Sequence, residues 1–291
     1  MKFLYVTDLH GHRGKYQQTL ETARRHAVSV VINGGDMLPK ECDPYQKGQT
    51  LFDVQEDFLR EWWNSHLVEY DQAGIHYLSA LGNDDLGFCD GLFEEICGSH
   101  PRAANLAQKS VKVGGYEFIG MNWVADYPFR LKDRCRFDRP EAVLGEQFGS
   151  GLYSTPERRF REIKNWPTLV KTLPTLQEEL GKLPVPADSS KAVYVVHMPP
   201  AGLGMDICGD RNHSRVGSRA VHDFIRQAQP LLTLHGHIHE SPLMPGGQWR
   251  AKIGKTLCLQ PGQMPGKLTC VLGDLQSLGR VVRLELDEVP T

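Results

Sequence analysis

The stretch KFLYVTDLHGHRGKYQQTLETARRHAVSVVINGGD, Lys2 to Asp36, decides the fold. KFLYV (2–6) is an unbroken apolar run of strand length. KYQQTLETARRH (15–26) reads as an amphipathic helix with Leu20 and Ala23 inward, and VSVVIN (28–33) is a second apolar run that ends in Gly34 and Gly35. Strand, helix and strand in that order form a βαβ unit, which favours a parallel pair and the α/β class. Each strand is followed by a carboxylate: Asp8, with His10 two residues on, and Asp36. In open α/β sheets, sites form in the crevice beyond the carboxyl ends of strands.

The same pattern extends outward. LFDVQEDFLREWWNSHLVEY (51–70) reads as a long helix with Phe58, Trp62 and Leu67 on one stripe, and IHYLSAL (75–81) as a third strand. QKSVKVGGYEFIGM (108–121) reads as a hairpin around Gly114-Gly115. From 122 to 187 the pattern changes to an irregular basic loop, DYPFRLKDRCRFDR (126–139), and then to short helices in TPERRFREIKNW (155–166) and PTLVKTLPTLQEELGKL (167–183). We read this as an insertion within one domain spanning 1–291. AVYVVHMPP (192–200) resumes a strand, GSRAVHDFIRQA (217–228) is a helix with Ser218 as N-cap, and LLTLHGHIHE (231–240) is a strand running into a loop. The tail alternates strands and turns, without internal repeats.

Composition sets bounds. A chain of 291 residues, 40% hydrophobic and 23% charged, is ample for a sizeable core. The net charge of −2 argues against wholesale nucleic-acid binding. No apolar run approaches the ~18 residues of a membrane helix. The first ten residues read as a strand interrupted by Thr7, Asp8 and His10, not as a signal peptide. Seven widely spaced cysteines without a CxxC predict free thiols and a cytoplasmic setting.

Five polar clusters each follow an apolar strand: Asp8-Leu9-His10, Gly35-Asp36, Gly82-Asn83-Asp84, His197, and Gly236-His237-Ile238-His239. In extended chain, residues i and i+2 point the same way, so Asp8 and His10 can face one ion, and His237 and His239 one cluster. Imidazole, carboxylate and one amide suit Mn, Fe, Zn, Ni or Co better than calcium.

The order D-x-H, G-D, G-N, H, G-H-x-H resembles the signature of the calcineurin-like metallophosphoesterase superfamily, from Asp8 to His239. CLQPGQ (258–263) looks like the segment that closes the domain in its smaller members. The resemblance implies a sandwich of two mixed β-sheets flanked by helices, here with the inserted segment. It implies one divalent ion on Asp8, His10 and His239, a second on Asn83, His197 and His237, and Asp36 bridging both. Two cations about 3.5–4 Å apart lower the pKa of a shared water, and the resulting bridging hydroxide is the expected nucleophile toward a small phosphodiester or nucleotide. Asp36, Asn83 and Asp84 are therefore the expected catalytic residues.

Many relatives carry His at the position of Asp84, often assigned as general acid. Three readings of Asp84 stand: a substitute acid, a residue orienting a ligand, or a turn cap. A carboxyl beside two dications is strongly ionised, which weighs against the acid. An altered position here also leaves room for a second functional class, a catalytically weak relative that binds metals and nucleotide as a sensor. Arg130, Lys132, Arg134, Arg136 and Arg139 either grip a phosphate, with Tyr127 or Phe129 stacking on a base, or form a solvated surface. Gly217 and Ser218 open a helix that offers either an anion site or an ordinary cap. His12, Asp206 and His213 are candidates near the site, whereas His26, His66, His76, His100 and His222 read as structural or exposed.

Overall fold

The computed structural model describes residues 1–42 and 48–287. The first βαβ unit is β1 (Lys2–Val6), α1 (Arg13–Arg25) and β2 (Val30–Asn33), with the two strands parallel. Next come α2 (Leu51–Asp57), a π-helical segment Phe58–Trp63, α3 (Asn64–Ala73), β3 (His76–Ser79), α4 (Asp90–Ser99) and β4 (Ala103–Asn105). β5 (Ser110–Val113) and β6 (Tyr116–Met121) form the expected hairpin. Gly114 and Gly115 both have positive φ, +56° and +82°, as the tight two-residue turn between right-twisted strands requires.

Residues after β6 build β7 (Val124–Ala125), β8 (Cys135–Arg136), β9 (Gly151–Thr155), β10 (Arg159–Ile163), α5 (Trp166–Leu169) and α6 (Leu176–Gly181) before β11 (Ala192–Val196). β6 and β11 are adjacent and parallel. Residues 122–191 thus form the crossover between these neighbouring strands. α7 (Arg219–Ala228), β12 (Leu232–Leu234), β13 (Arg250–Ile253), β14 (Thr256–Leu259), β15 (Lys267–Asp274) and β16 (Val282–Asp287) complete the chain.

Two six-stranded mixed sheets result, in the orders β16-β15-β1-β2-β3-β4 and β13-β14-β12-β11-β6-β5. Alternation along β1 divides its side chains between two layers. Phe3 and Tyr5 enter the core between the sheets with Ile32, Phe118, Val195 and Leu234, while Leu4 and Val6 face the helical layer with Tyr16, Leu20, Trp63 and Phe93. A third core lies under α7 and the crossover. Among the described residues no helix is long and apolar enough to cross a membrane, and all seven cysteines are free.

Three expectations change. The stripe Phe58–Trp62–Leu67 faces the core as expected but widens: Phe58 and Leu67 are buried, Trp62 packs partly buried against them, and Trp63 is fully buried as well, because the π-helical turn inserts one residue into the 3.6 period. TPERRFREIKNW supplies β10 and its turn, not a helix. Pro156 and Glu157 follow Thr155, Arg158 donates its N–H back to Thr155 O at 3.0 Å, and Arg158 lies at φ +59°. That is a three-residue hairpin loop ending in a left-handed residue. Four of the five basic side chains of the loop 126–139 are engaged within the fold, and Arg130 alone of the five is solvent-exposed, with its Nε on Ser150 O. Lys132 and Arg134 are buried on Asp126 and Asp90, Arg136 stacks 3.7 Å from the Trp123 ring centroid, and Arg139 pairs with Asp223.

Candidate metal centre

The turns after β1, β2 and β3 come from one sheet, and those after β11 and β12 from the other. Backbone bonds join them in pairs. Asp8 and His10 donate their N–H groups to Gly35 O and Asp36 O, both at 2.9 Å, and Gly236 N donates to His197 O at 2.9 Å. Three bonds then cross between sheets: Tyr5 Oη to His235 O at 2.7 Å, His197 Nδ1 to Gly34 O at 2.9 Å, and His237 N to Asp8 Oδ1 at 3.0 Å.

Asp8, His10, Asp36 and His237 have φ of +57°, +45°, +51° and +72°. Non-glycine residues in this region cost on the order of 1–3 kcal/mol each and persist where the surroundings fix them. The extended i, i+2 geometry expected for Asp8 and His10 is therefore not how they meet; left-handed turns aim them instead. Gly35, at φ +119°, has no room for a side chain, since a Cβ there would lie 2.6 Å from His197 Nδ1.

Donor atoms of Asp8, His10, Asp36 and His239 lie within 4.8 Å of one another, as do those of Asp36, His197 and His237, so Asp36 belongs to both groups. Asn83 joins the second: its Oδ1 is 3.0 Å from His197 Nε2 and 2.6 Å from His237 Nδ1. All seven residues named from the sequence meet here. His10 Nε2 and His239 Nε2 stand 3.1 Å apart, and buried Asp8 Oδ2 and His10 Nδ1 have no hydrogen-bond partner among the described residues. Closely set imidazole nitrogens facing unpaired carboxylate oxygens are a donor set that fits divalent cations.

The electrostatics divide the four histidines, two held neutral by burial and two held protonated by the buried carboxylates whose charge a bound cation would instead offset. Burial disfavours imidazolium at His197, but the Asp36 charge and then Asp8 outweigh it and push the ring up to about 9. Burial holds His10 and His237 down to about 4, the neutral form in which imidazole ligates. At His239 burial is outweighed by Asp8, which raises it. Burial opposes ionisation of Asp36, yet the His197 charge carries it well below the carboxylate range. Burial and then Asp36 push Asp84 up to about 7.

Asp84 is partly exposed, with 37% of its side chain accessible against 30% for His239 and 12% for His10. Its N–H donates to Asp36 Oδ1 at 2.8 Å, and its Oδ1 accepts from Asn83 Nδ2 at 2.9 Å. That second bond turns the Asn83 carbonyl oxygen toward the histidines. Of the other candidates, Asp206 accepts from Gly202 N at 3.1 Å, Ser218 caps α7, and neither these nor His12 nor His213 joins the two donor groups. The start of α7 already holds an anion from within, as Asp138 accepts from Ser218 Oγ and from Arg219 N at 3.0 Å.

Sequence reading missed the braces. Asp85 accepts from Met37 N at 2.9 Å, Leu38 N at 2.7 Å and Gly82 N at 2.7 Å, tying the β2 and β3 turns together. Arg134 Nε donates to Gly82 O at 2.7 Å. Gln260 Nε2 donates to Gly236 O at 3.0 Å and Ile238 O at 2.7 Å. The doubled carboxylate in NDD was the available signal for Asp85; nothing in the local sequence around Arg134 pointed inward.

A model of the calcineurin-like phosphoesterase family matches residues 1–241. No curated protein matches by sequence. Among solved structures, one crystal structure is similar at TM-score 0.62 and 15% identity, covering 98% of this chain and 99% of its own. TT1561 of Thermus thermophilus is similar at TM-score 0.57 and 14% identity, over 98% of each chain. A dimetal phosphatase from Danio rerio is similar at TM-score 0.50 and 13% identity, over 99% of this chain and 96% of that one. At these identities the likeness is one of fold.

Proposed function

This chain belongs to the calcineurin-like phosphoesterase family, and we propose that it is a dinuclear-metal hydrolase of a small phosphodiester or nucleotide. The supporting observation is the pair of donor groups that share Asp36. In this reading Asp8, His10 and His239 would hold one divalent ion, Asn83, His197 and His237 the other, and Asp36 would serve both. The nitrogen-rich donor mix suits Mn, Fe, Zn, Ni or Co. Two such ions, when bound, supply Lewis acidity toward water and toward phosphate oxygens.

The chain's own groups prepare that chemistry. Gly34 O fixes the His197 tautomer by accepting from Nδ1, which leaves Nε2 to face the site. A neutral amide at Asn83 contributes an oxygen donor without adding a further negative charge. Asp84 acts as a positioning residue for Asn83, not as a proton donor, because two dications, once bound, would outweigh the burial and the Asp36 charge that raise its carboxyl and would keep it ionised. Without a side-chain acid, esters with good leaving groups are favoured. We also read 1–291 as one domain with 122–187 inserted, acting in a reducing compartment.

The position of Asp84 favours one second reading, a catalytically weak protein of the same fold that binds metal and nucleotide as a sensor. Turnover of an activated aryl diester with added Mn²⁺ separates the two. The hydrolase reading expects turnover that Asp36→Asn abolishes and a rate that falls steeply as leaving-group pKa rises. Tight nucleotide binding without turnover favours the sensor, and a rate indifferent to leaving-group pKa reveals a proton donor and removes the role given to Asp84.

A further inference from the structure

Phe129 and Phe148 are among the most exposed large apolar side chains of the described residues, at 63% and 56%. They lie together, with ring centroids 5.8 Å apart and planes at 81°. Phe129 is 6.0 Å from the Tyr127 ring, and Tyr127 is 5.9 Å from the ring of His237. A line of aromatic contacts therefore runs from the second donor group out to solvent.

The outer rings are carried on ordered backbone. Phe148 N donates to Pro128 O at 2.8 Å, Leu152 N to Arg130 O at 2.7 Å, and Lys132 N to Leu152 O at 2.8 Å. Arg130 Nε adds a bond to Ser150 O at 3.0 Å. At the inner end Tyr127 Oη donates to Leu131 O at 2.6 Å, so this ring is pinned as well. Two phenyl rings held in water by such a ladder gain nothing for the fold from their exposed faces. Fixed, exposed aromatic surface next to a reactive centre suits a ligand with a planar face.

We propose that Phe129 and Phe148, set at 81° to one another, form an aromatic corner for a planar group carried by the phosphoester, one ring stacking on its face and the other meeting its edge, so that the substrate is a nucleotide-type ester with its phosphate at the donor groups and its base in that corner. This rests on the phosphoesterase reading and narrows its substrate class. Stacking selects rings without selecting a particular base, since every base has a π face. The site thus discriminates base-bearing from base-free esters, and purine from pyrimidine only weakly.

The test compares adenosine 2′,3′-cyclic phosphate with ribose 2,3-cyclic phosphate, two five-membered cyclic diesters of the same sugar that differ in the base. Both are assayed on Mn²⁺-loaded protein, wild type and Phe129→Ala/Phe148→Ala, alongside calorimetric binding of AMP. The expected result is a wild-type preference in kcat/KM for the adenosine ester that falls about tenfold or more in the double variant, with AMP affinity falling in parallel and Phe129→Trp retaining both. Equal use of the two esters by wild type, or a ratio unchanged in the double variant, overturns the aromatic corner and leaves the phosphoesterase reading standing. Binding of AMP that depends on the two rings, with neither ester hydrolysed, upholds the corner and overturns the hydrolase reading. Neither hydrolysis nor ring-dependent binding overturns both. If the double variant instead lowers the sedimentation mass with the ratio intact, the rings are a contact between copies and the aromatic corner is wrong.

Discussion

Asp84 donates its N–H to Asp36 and accepts from the Asn83 amide, so one residue touches the shared carboxylate and orients the amide donor. Its type was legible in the sequence; the direction of the Asn83 amide was not, because it depends on a contact that only the folded turn creates. His66 illustrates the opposite case, a histidine whose work is packing. It stacks on Trp62 at 4.8 Å and 20° and meets Tyr70 edge-on at 5.3 Å. Burial lowers its pKa below the ordinary value, so the fold favours the neutral ring. The unfolded chain titrates near pH ~6.5, and the stability this residue contributes is full above that pH and is lost as pH falls through the lower folded value. His66→Phe keeps the aromatic contacts and removes the titration. Urea midpoints measured from pH 7.5 to 5 should fall less steeply for this variant than for wild type; equal slopes would show that His66 does not carry the linkage.

At the level of elements, periodicity identified β1, α1 and β2, and the Gly-Gly turn identified the β5–β6 hairpin, because each signal is local. The π-helical turn within 58–63 was invisible, since an inserted residue leaves no mark on composition while it brings Trp63 into the core alongside the partly buried Trp62. The β9–β10 hairpin was hidden by its charge. Arg158 pairs with Glu56 at 2.6 Å and Phe160 packs 4.9 Å from Phe52, so its tertiary neighbours, not a strand-like alternation, hold it. The turns after β2 and β3 depend on Asp85 in the same way. Asp85→Ala strands three buried N–H groups, each costing about 1–3 kcal/mol. Equilibrium denaturation should show a loss of about 3 kcal/mol or more, with Asp85→Asn recovering only part of it. A loss under about 1 kcal/mol would mean the turns are held by other bonds.

Across the whole molecule, the five strand ends that carry the donors belong to two sheets, with β1, β2 and β3 on one side and β11 and β12 on the other. The order of the motifs along the chain was readable, and the resemblance supplied the two-sheet sandwich. That the sheets bring their carboxyl ends to one place, with His237 N on Asp8 and His197 on Gly34 as cross-links, is a property of packing between distant segments. The centre then joins the two halves of the fold, so cations bound by the native state alone stabilise it by mass action. The most direct measurement is the divalent metal content of the chain, by elemental analysis after Mn²⁺ loading and dialysis, with the melting temperature read before and after chelation. Two ions per chain, a melting temperature that drops on chelation, and loss of both effects in Asp36→Asn are the expected results. One ion or none in the wild type, or two ions retained in Asp36→Asn, would contradict a pair of cations sharing Asp36.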